Sequence, residues 1–204
     1  PTRAVLTRMD DPLGRTVGNA LEVREAMDCL KGGGPKDLRK LSVELVTEML
    51  VLSKVHAKRA EAARSCRRAL DDGRALERFA ELVEAQKGDP KVIDQPDRLP
   101  AAKATAVVRY AGKPGTVHGV DALAFARIAM ELGAGRRHTR DTIDPAVGLS
   151  DIVKAGQNLE QGDPLCIAHV NRKRAPKDLE ERIRAAVEVK PAPFQQRSIV
   201  IDRS

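Results

Sequence analysis

The stretch that most constrains this chain runs from Met9 to Glu25. A short apolar run, Ala4-Val5-Leu6-Thr7, precedes it and suits a buried strand better than a helix of so few residues. Behind it, Ala20, Val23, Ala26, Met27 and Leu30 recur at spacings of three and four, which predicts a helix with one apolar face. Between the two stand Asp11-Pro12 and the glycines Gly14 and Gly18. Pro12 fixes its own φ and lacks an N–H, while the glycines open backbone conformations closed to other residues. The pattern predicts strand, shaped loop and helix, an arrangement that in α/β folds often places function in the loop.

Four helices are expected in the first part of the chain. The first stops at Lys31-Gly32-Gly33-Gly34-Pro35. A second starts near Pro35 or Lys36 with Leu38, Leu41, Leu45, Met49 and Leu52 down one side. A third covers about 58–70, and a fourth about 74–86 with Leu76, Phe79, Ala80, Leu82 and Val83 as its apolar set. Asp89 to Pro100, with three prolines and several charges, reads as a linker. Beyond it, 105–110 and 115–120 are strand-like and joined by a Gly/Pro turn. Asp121 is a good N-cap for a helix to about Leu132 with Leu123, Ala124, Ile128 and Leu132 inward. Short strands follow over 143–167, broken at Gly148, Gly156 and Gly162. A helix over about 176–187 and a strand over 198–201 complete a smaller domain.

Hydrophobic residues at 42% and charged ones at 32% are those of a soluble globular protein, which implies a cytoplasmic location when joined to sparse cysteine. Cys29, Cys66 and Cys166 are odd in number, far apart and without zinc spacing. No run approaches the ~20 apolar residues of a membrane span, so no membrane partner is expected. The net charge of +7 could attract phosphate-bearing partners, but basic and acidic residues interleave throughout. Aromatics at 2% argue against a stacking platform, so no nucleic-acid partner is expected. The chain begins at Pro1, directly ahead of a predicted core strand, and reads as a fragment whose strand needs neighbours.

Residue chemistry alone offers little. Asp10 and Asp11 read as caps and turn-formers, and Asn19 as a bond across the loop. His56, His118, His138 and His169 lie on separate predicted elements without metal spacing, and they define no Ser-His-Asp arrangement. Arg136, Arg137 and Arg140 around His138 form the sharpest basic cluster, facing an anion or lying in a solvated surface loop. Turns around Gly148, Gly156 and Gly162 resemble those of a lipoyl or biotinyl carrier barrel, but no lysine carries the flanking residues of a carrier.

Met9-Asp10-Asp11-Pro12-Leu13-Gly14 followed by Val17-Gly18-Asn19-Ala20-Leu21-Glu22-Val23-Arg24-Glu25-Ala26 resembles the signature of the thymidine and pyrimidine-nucleoside phosphorylases. The resemblance continues through Gly133-Ala134-Gly135-Arg136-Arg137 and Asp141-Thr142-Ile143-Asp144-Pro145-Ala146-Val147-Gly148. It implies the C-terminal half of such an enzyme. Residues 1–88 would be the C-terminal part of a mixed-sheet α/β domain with about four helices, and 89–103 a linker. Residues 104–204 would be a smaller α+β domain with barrel-like hammerhead strands.

The family is a pentosyltransferase that splits a pyrimidine nucleoside with inorganic phosphate into free base and pentose 1-phosphate. It dimerises through the N-terminal half that is missing here. The Lys-His-Ser phosphate element and the base-holding residues belong to that half, so no catalytic or substrate-binding residue is expected in this chain and the fragment is expected to be inactive. The resemblance also implies a potassium ion, held by the carbonyls of Leu13 and Thr16 and the carboxylate of Glu25. Such an ion takes oxygen ligands, and carbonyls are available only outside a helix ladder. Glu25 also lies almost opposite the Val23/Met27/Leu30 stripe, where an ordinary solvated acid would sit. Two alternatives remain: a nucleoside-monophosphate phosphorylase of the same superfamily, and a non-catalytic binding or carrier module.

Overall fold

The architecture comes from a computed structural model, which describes residues 2–171 and 176–203. Among these residues the fold is mixed α/β, with six α-helices and three small sheets. The chain divides into two compact units: Pro1–Arg8, Arg24–Arg98 and Ser198–Ser204 form the first, and Met9–Val23 with Leu99–Arg197 the second.

In the first unit, strand β1 (Val5–Thr7) forms where the apolar run predicts it, but it is not buried: Leu6 is 58% exposed. Helix α1 (Ala20–Leu30), which belongs to this unit from Arg24 onward, stops at the glycines, with Met27 and Cys29 buried. Val23, expected inward, is 39% exposed. Helix α2 (Lys36–Leu52) also starts as the sequence predicts, but it buries a different face. Leu45 and Met49 are exposed, whereas Val43, Thr47 and Glu48 are buried. Polar groups can take that face because they are satisfied there. Thr47 Oγ1 donates to the Val43 carbonyl at 2.6 Å. Glu48, only 5% exposed, accepts from Arg59 Nε at 2.8 Å and from Arg3 at 2.5 Å. Glu44 beside it accepts from Arg203 at 2.8 Å and also pairs with Arg59. Helices α3 (Arg59–Asp71) and α4 (Arg74–Ala85) follow their predicted ranges; Leu82 of α4 is exposed. The proline-rich stretch after α4 carries two short 3₁₀ turns, and Ile93 between them is buried.

The second unit holds β2 (Val17–Gly18), β3 (Ala104–Arg109), β4 (Gly115–Val120), β5 (Gly148–Ser150), β6 (Asn158–Leu159), β7 (Pro164–Val170) and β8 (Val187–Lys190). One sheet has the order β2-β5-β7-β3 and another β6-β4-β8. The Gly/Pro turn joins β3 and β4 without pairing them: β3 pairs with β7, and β4 with β6 and β8. The connection is occupied otherwise. Tyr110 donates its N–H to the Asp163 carbonyl, its own carbonyl accepts from Gly162, and its hydroxyl donates to the Lys113 carbonyl.

Helix α5 (Ala122–Ala129) is capped by Asp121, whose side chain accepts from the Ala124 N–H at 2.9 Å. A π-helical turn over Met130–Ala134 extends it. Phe125 and Ile128 fill the core, while Leu123, expected inward, is 58% exposed. Helix α6 (Leu179–Ala185) contributes Leu179 and Ile183 to the same core, beside Val108, Val117, Leu149, Ile152 and Leu165.

Strand β9 (Val200–Arg203) corrects a further expectation. It does not complete the smaller domain but pairs antiparallel with β1 in the first unit.

Candidate cation site

The loop from Asp10 to Gly18 contains no helix, only the two strand residues of β2, so its carbonyls are outside the α1 ladder, which begins with the Asn19 carbonyl accepting from the Val23 N–H. It is fastened to the rest of the second unit, to which it belongs, at most of its residues. The Asp10 carbonyl accepts from the Ala122 N–H at 3.0 Å, and Asp11 Oδ1 accepts from the Val120 N–H at 2.7 Å. Arg15 exchanges bonds with Ile152: its carbonyl accepts from the Ile152 N–H at 3.1 Å and its guanidinium reaches the Ile152 carbonyl. Val17 and Gly18 pair with Leu149 and Gly148 of β5. Asn19 donates to the Ala134 carbonyl at 2.8 Å, so it bonds to a distant segment and not across its own loop.

The start of α1 follows from the same fastening. The Ala20 N–H is taken by the Pro145 carbonyl at 3.0 Å, and the Gly18 N–H by Glu22 Oε1 at 3.0 Å. Both are donors that a helix start or the turn before it leaves without an intrahelical partner.

Of the three predicted potassium ligands, Leu13 and Thr16 lie in this loop, Leu13 exposed and Thr16 half-buried. Thr16 Oγ1 is buried and has no hydrogen-bond partner among the described residues. An oxygen in that state costs about 1–3 kcal/mol, and a cation or water against it would relieve the cost. The loop's residues thus fit an oxygen-bound monovalent cation. Glu25 lies in α1, half-buried, and belongs to the first unit.

One participant carries no sequence signal. Lys154, in the turn between β5 and β6, points its ammonium at the loop and donates to the carbonyls of Pro12 at 2.5 Å and Gly14 at 2.9 Å. A single lysine in a turn has neither periodicity nor motif to mark it.

The remaining candidates stay apart. Arg137 pairs with Glu131 at 3.1 Å, and Glu131 also binds Arg182 at 2.6 Å. Chiefly the Arg182 hydrogen bond holds the Glu131 carboxyl below its usual range. The N–H groups of Arg137 and His138 both donate to Asp141 Oδ2 at 2.9 Å. Arg136 and Arg140 are exposed. This loop borders a cleft of about 530 Å³ with Met130 and Gly133, but Arg137, the cation lining it among the described residues, already has a carboxylate partner.

Ser150 Oγ and His169 Nε2 meet at 2.8 Å across neighbouring strands, a pair the sequence reading missed. Asp151 contacts the serine at 3.3 Å, whereas a catalytic triad needs its acid on the far nitrogen of the imidazole. His118 bonds the Ala192 carbonyl and stacks edge-on against Phe194. No group of three or more His, Cys, Asp or Glu suited to a metal occurs among the described residues.

With this geometry in hand, the comparisons with known proteins decide the family. Residues 116–190 match the pyrimidine nucleoside phosphorylase C-terminal domain. A pyrimidine-nucleoside phosphorylase of Geobacillus stearothermophilus is 36% identical over 202 residues, covering 99% of this chain and 46% of that protein. This is a chain of the pyrimidine-nucleoside phosphorylase family. The Bacillus subtilis relative of the same name is 39% identical over 93% of this chain and 44% of its own length. One from Staphylococcus aureus is 42% identical over 84% and 39%. The chain spans less than half the length of these curated relatives. Among the described residues, no helix of this phosphorylase-family chain is long and apolar enough to cross a membrane.

Proposed function

We propose that this chain is the C-terminal part of a pyrimidine-nucleoside phosphorylase, whose complete protein cleaves a pyrimidine nucleoside with inorganic phosphate to free base and pentose 1-phosphate. The observation that carries the reading is the match to named phosphorylases along almost the whole chain, through the Met9–Ala26 segment as well as the C-terminal domain. In this reading the phosphate and base pockets belong to residues outside these 204, and the complete protein is a cytoplasmic homodimer.

The chain's own contribution is the continuation of the α/β domain, the smaller domain with its barrel-like strands, and part of a potassium site. Leu13 and Thr16 would offer carbonyl oxygens to the ion and Glu25 its carboxylate; the buried, unpartnered Thr16 hydroxyl is what supports a cation at this loop. The ion supplies positive charge that braces a loop beside the phosphate pocket.

The test is base release. The complete protein is expected to free uracil or thymine from uridine or thymidine only when phosphate is present, and the 204-residue chain alone to free none. Turnover by the isolated chain would contradict the division of labour. Preference for a nucleoside 5′-monophosphate would move the protein to the related monophosphate phosphorylases.

A further inference from the structure

The contact between Lys154 and the Pro12–Gly14 turn goes beyond the potassium site. Pro12 and Gly14 are both buried, and Gly14 has the left-handed φ of 73°, so the chain reverses where two carbonyls leave water together. Buried carbonyls need donors. Here one ammonium serves both, through charge-assisted bonds of 2.5 and 2.9 Å. An ammonium and a potassium ion make the same demand on a backbone turn, one positive charge surrounded by oxygens.

The lysine is itself held in place. Its N–H donates to Gln157 Oε1 at 2.5 Å and its carbonyl accepts from the Gln157 N–H at 3.1 Å. Gly156 donates to the Val117 carbonyl and Val153 to the Leu165 carbonyl, at 2.8 and 2.9 Å. Ile152 and Val153, just before it, are buried at 0% and 4% exposure. The stem therefore leaves a rigid turn, and the charge is delivered to the loop from a fixed anchor.

We propose that Lys154 is a tethered cation: a positioning residue whose ammonium fixes the Pro12–Gly14 turn and leaves the Leu13 and Thr16 oxygens to the soluble ion. The inference rests on the reading of this loop as a potassium site. It divides the loop's oxygens into a pair served by the protein and a set served by the solvent.

The experiment is cation rescue. Thermal unfolding of the 204-residue chain is followed in potassium, ammonium and choline chloride at equal ionic strength, for the parent, Lys154→Met and Lys154→Arg. Lys154→Met removes the charge and keeps most of the stem. Its melting temperature is expected to fall in choline and to recover in potassium or ammonium, with a potassium–choline gap at least twice the parent's. Lys154→Arg is expected to keep a gap near the parent's. A gap in Lys154→Met equal to the parent's would overturn the proposal.

Should Lys154→Met fail to fold in every salt, nitrogen-15 spectra of the parent's lysine ammonium groups decide. A slowly exchanging Lys154 ammonium supports the tether, and a rapidly exchanging one overturns it. Base release by the complete protein keeps the two readings separate. Cation rescue without phosphorolysis sinks the enzyme assignment alone, and phosphorolysis without rescue sinks the tether alone.

Discussion

Replacing Gly148 with alanine is expected to unlatch the Asp10–Gly18 loop from β5. Gly148 faces Gly18 across the β2–β5 pair and holds a φ of 150°, outside the range that side-chain-bearing residues tolerate. A Cβ there would stand 2.3 Å from the Val17 carbonyl oxygen and 3.1 Å from the Gly18 Cα. The obstructing atoms are backbone of a paired strand and cannot rotate away. Backbone strain contributes about 1–3 kcal/mol and overpacking a similar amount, for a combined cost of about 4 kcal/mol.

Two controls separate those causes. Gly162 has a φ of 96° but nothing within 4 Å of a built Cβ, so Gly162→Ala should cost only strain, about 1–2 kcal/mol. Gly119 has no left-handed φ, and its closest neighbour would be 3.9 Å away, so Gly119→Ala should stay within about 0.5 kcal/mol of the parent. The chain has one tyrosine, Tyr110, and no tryptophan, so tyrosine fluorescence during urea unfolding reports on the second unit. If Gly148→Ala proves no less stable than Gly162→Ala, the close approach of β2 and β5 does not hold the loop and the reasoning is refuted.

Other outcomes follow from the first unit and the core. Arg59, then Arg3, hydrogen-bond Glu48 and hold its carboxyl below the usual range. Burial pushes the neighbouring Glu44 up, but its bonds to Arg203 and Arg59 outweigh that and hold it low as well. Their stabilisation is complete above the ordinary glutamate pKa of about 4.3 and drains as pH falls through the lowered folded values. The parent's urea midpoint should therefore drop more steeply below that pH than that of Glu48→Gln; parallel curves would show the cluster to be inert. Burial pushes the Cys166 thiol up to about 12, so a thiol reagent at pH 8 should modify it only after unfolding; rapid labelling of the native chain would contradict its packing. Asp11→Ala leaves the Val120 N–H without its side-chain acceptor and should cost about 1–3 kcal/mol by the same fluorescence assay, against no change if water replaces the carboxylate freely.

Local signals in the sequence predict local structure. Gly32 to Pro35 ends α1 and starts α2 as written, and Asp121 caps α5 because both rules act within a few residues. Pairings across the chain escape the same reasoning. β9 meets β1 from the opposite end of the sequence, and β3 and β4 each find a distant partner in preference to each other. The inward face of α2 is illegible for a different reason: Glu48 can be buried only because Arg3 and Arg59 come to it, and neither is its neighbour in sequence. At the loop, the sequence supplies Pro12, Gly14 and Gly18 and hence a shaped turn. Lys154 becomes visible only when folding carries its ammonium to carbonyls about 140 residues away.

The most direct test of the proposed role is a potassium titration of phosphate-dependent uracil release from uridine, made on the complete protein and on its Glu25→Gln variant. A carboxylate that ligates the ion predicts that Glu25→Gln needs about tenfold more potassium for half-maximal rate, a loss of about 1.4 kcal/mol, and approaches the parent's rate at saturation. Superimposable curves, or a rate indifferent to replacing potassium by choline, would remove the cation from the account.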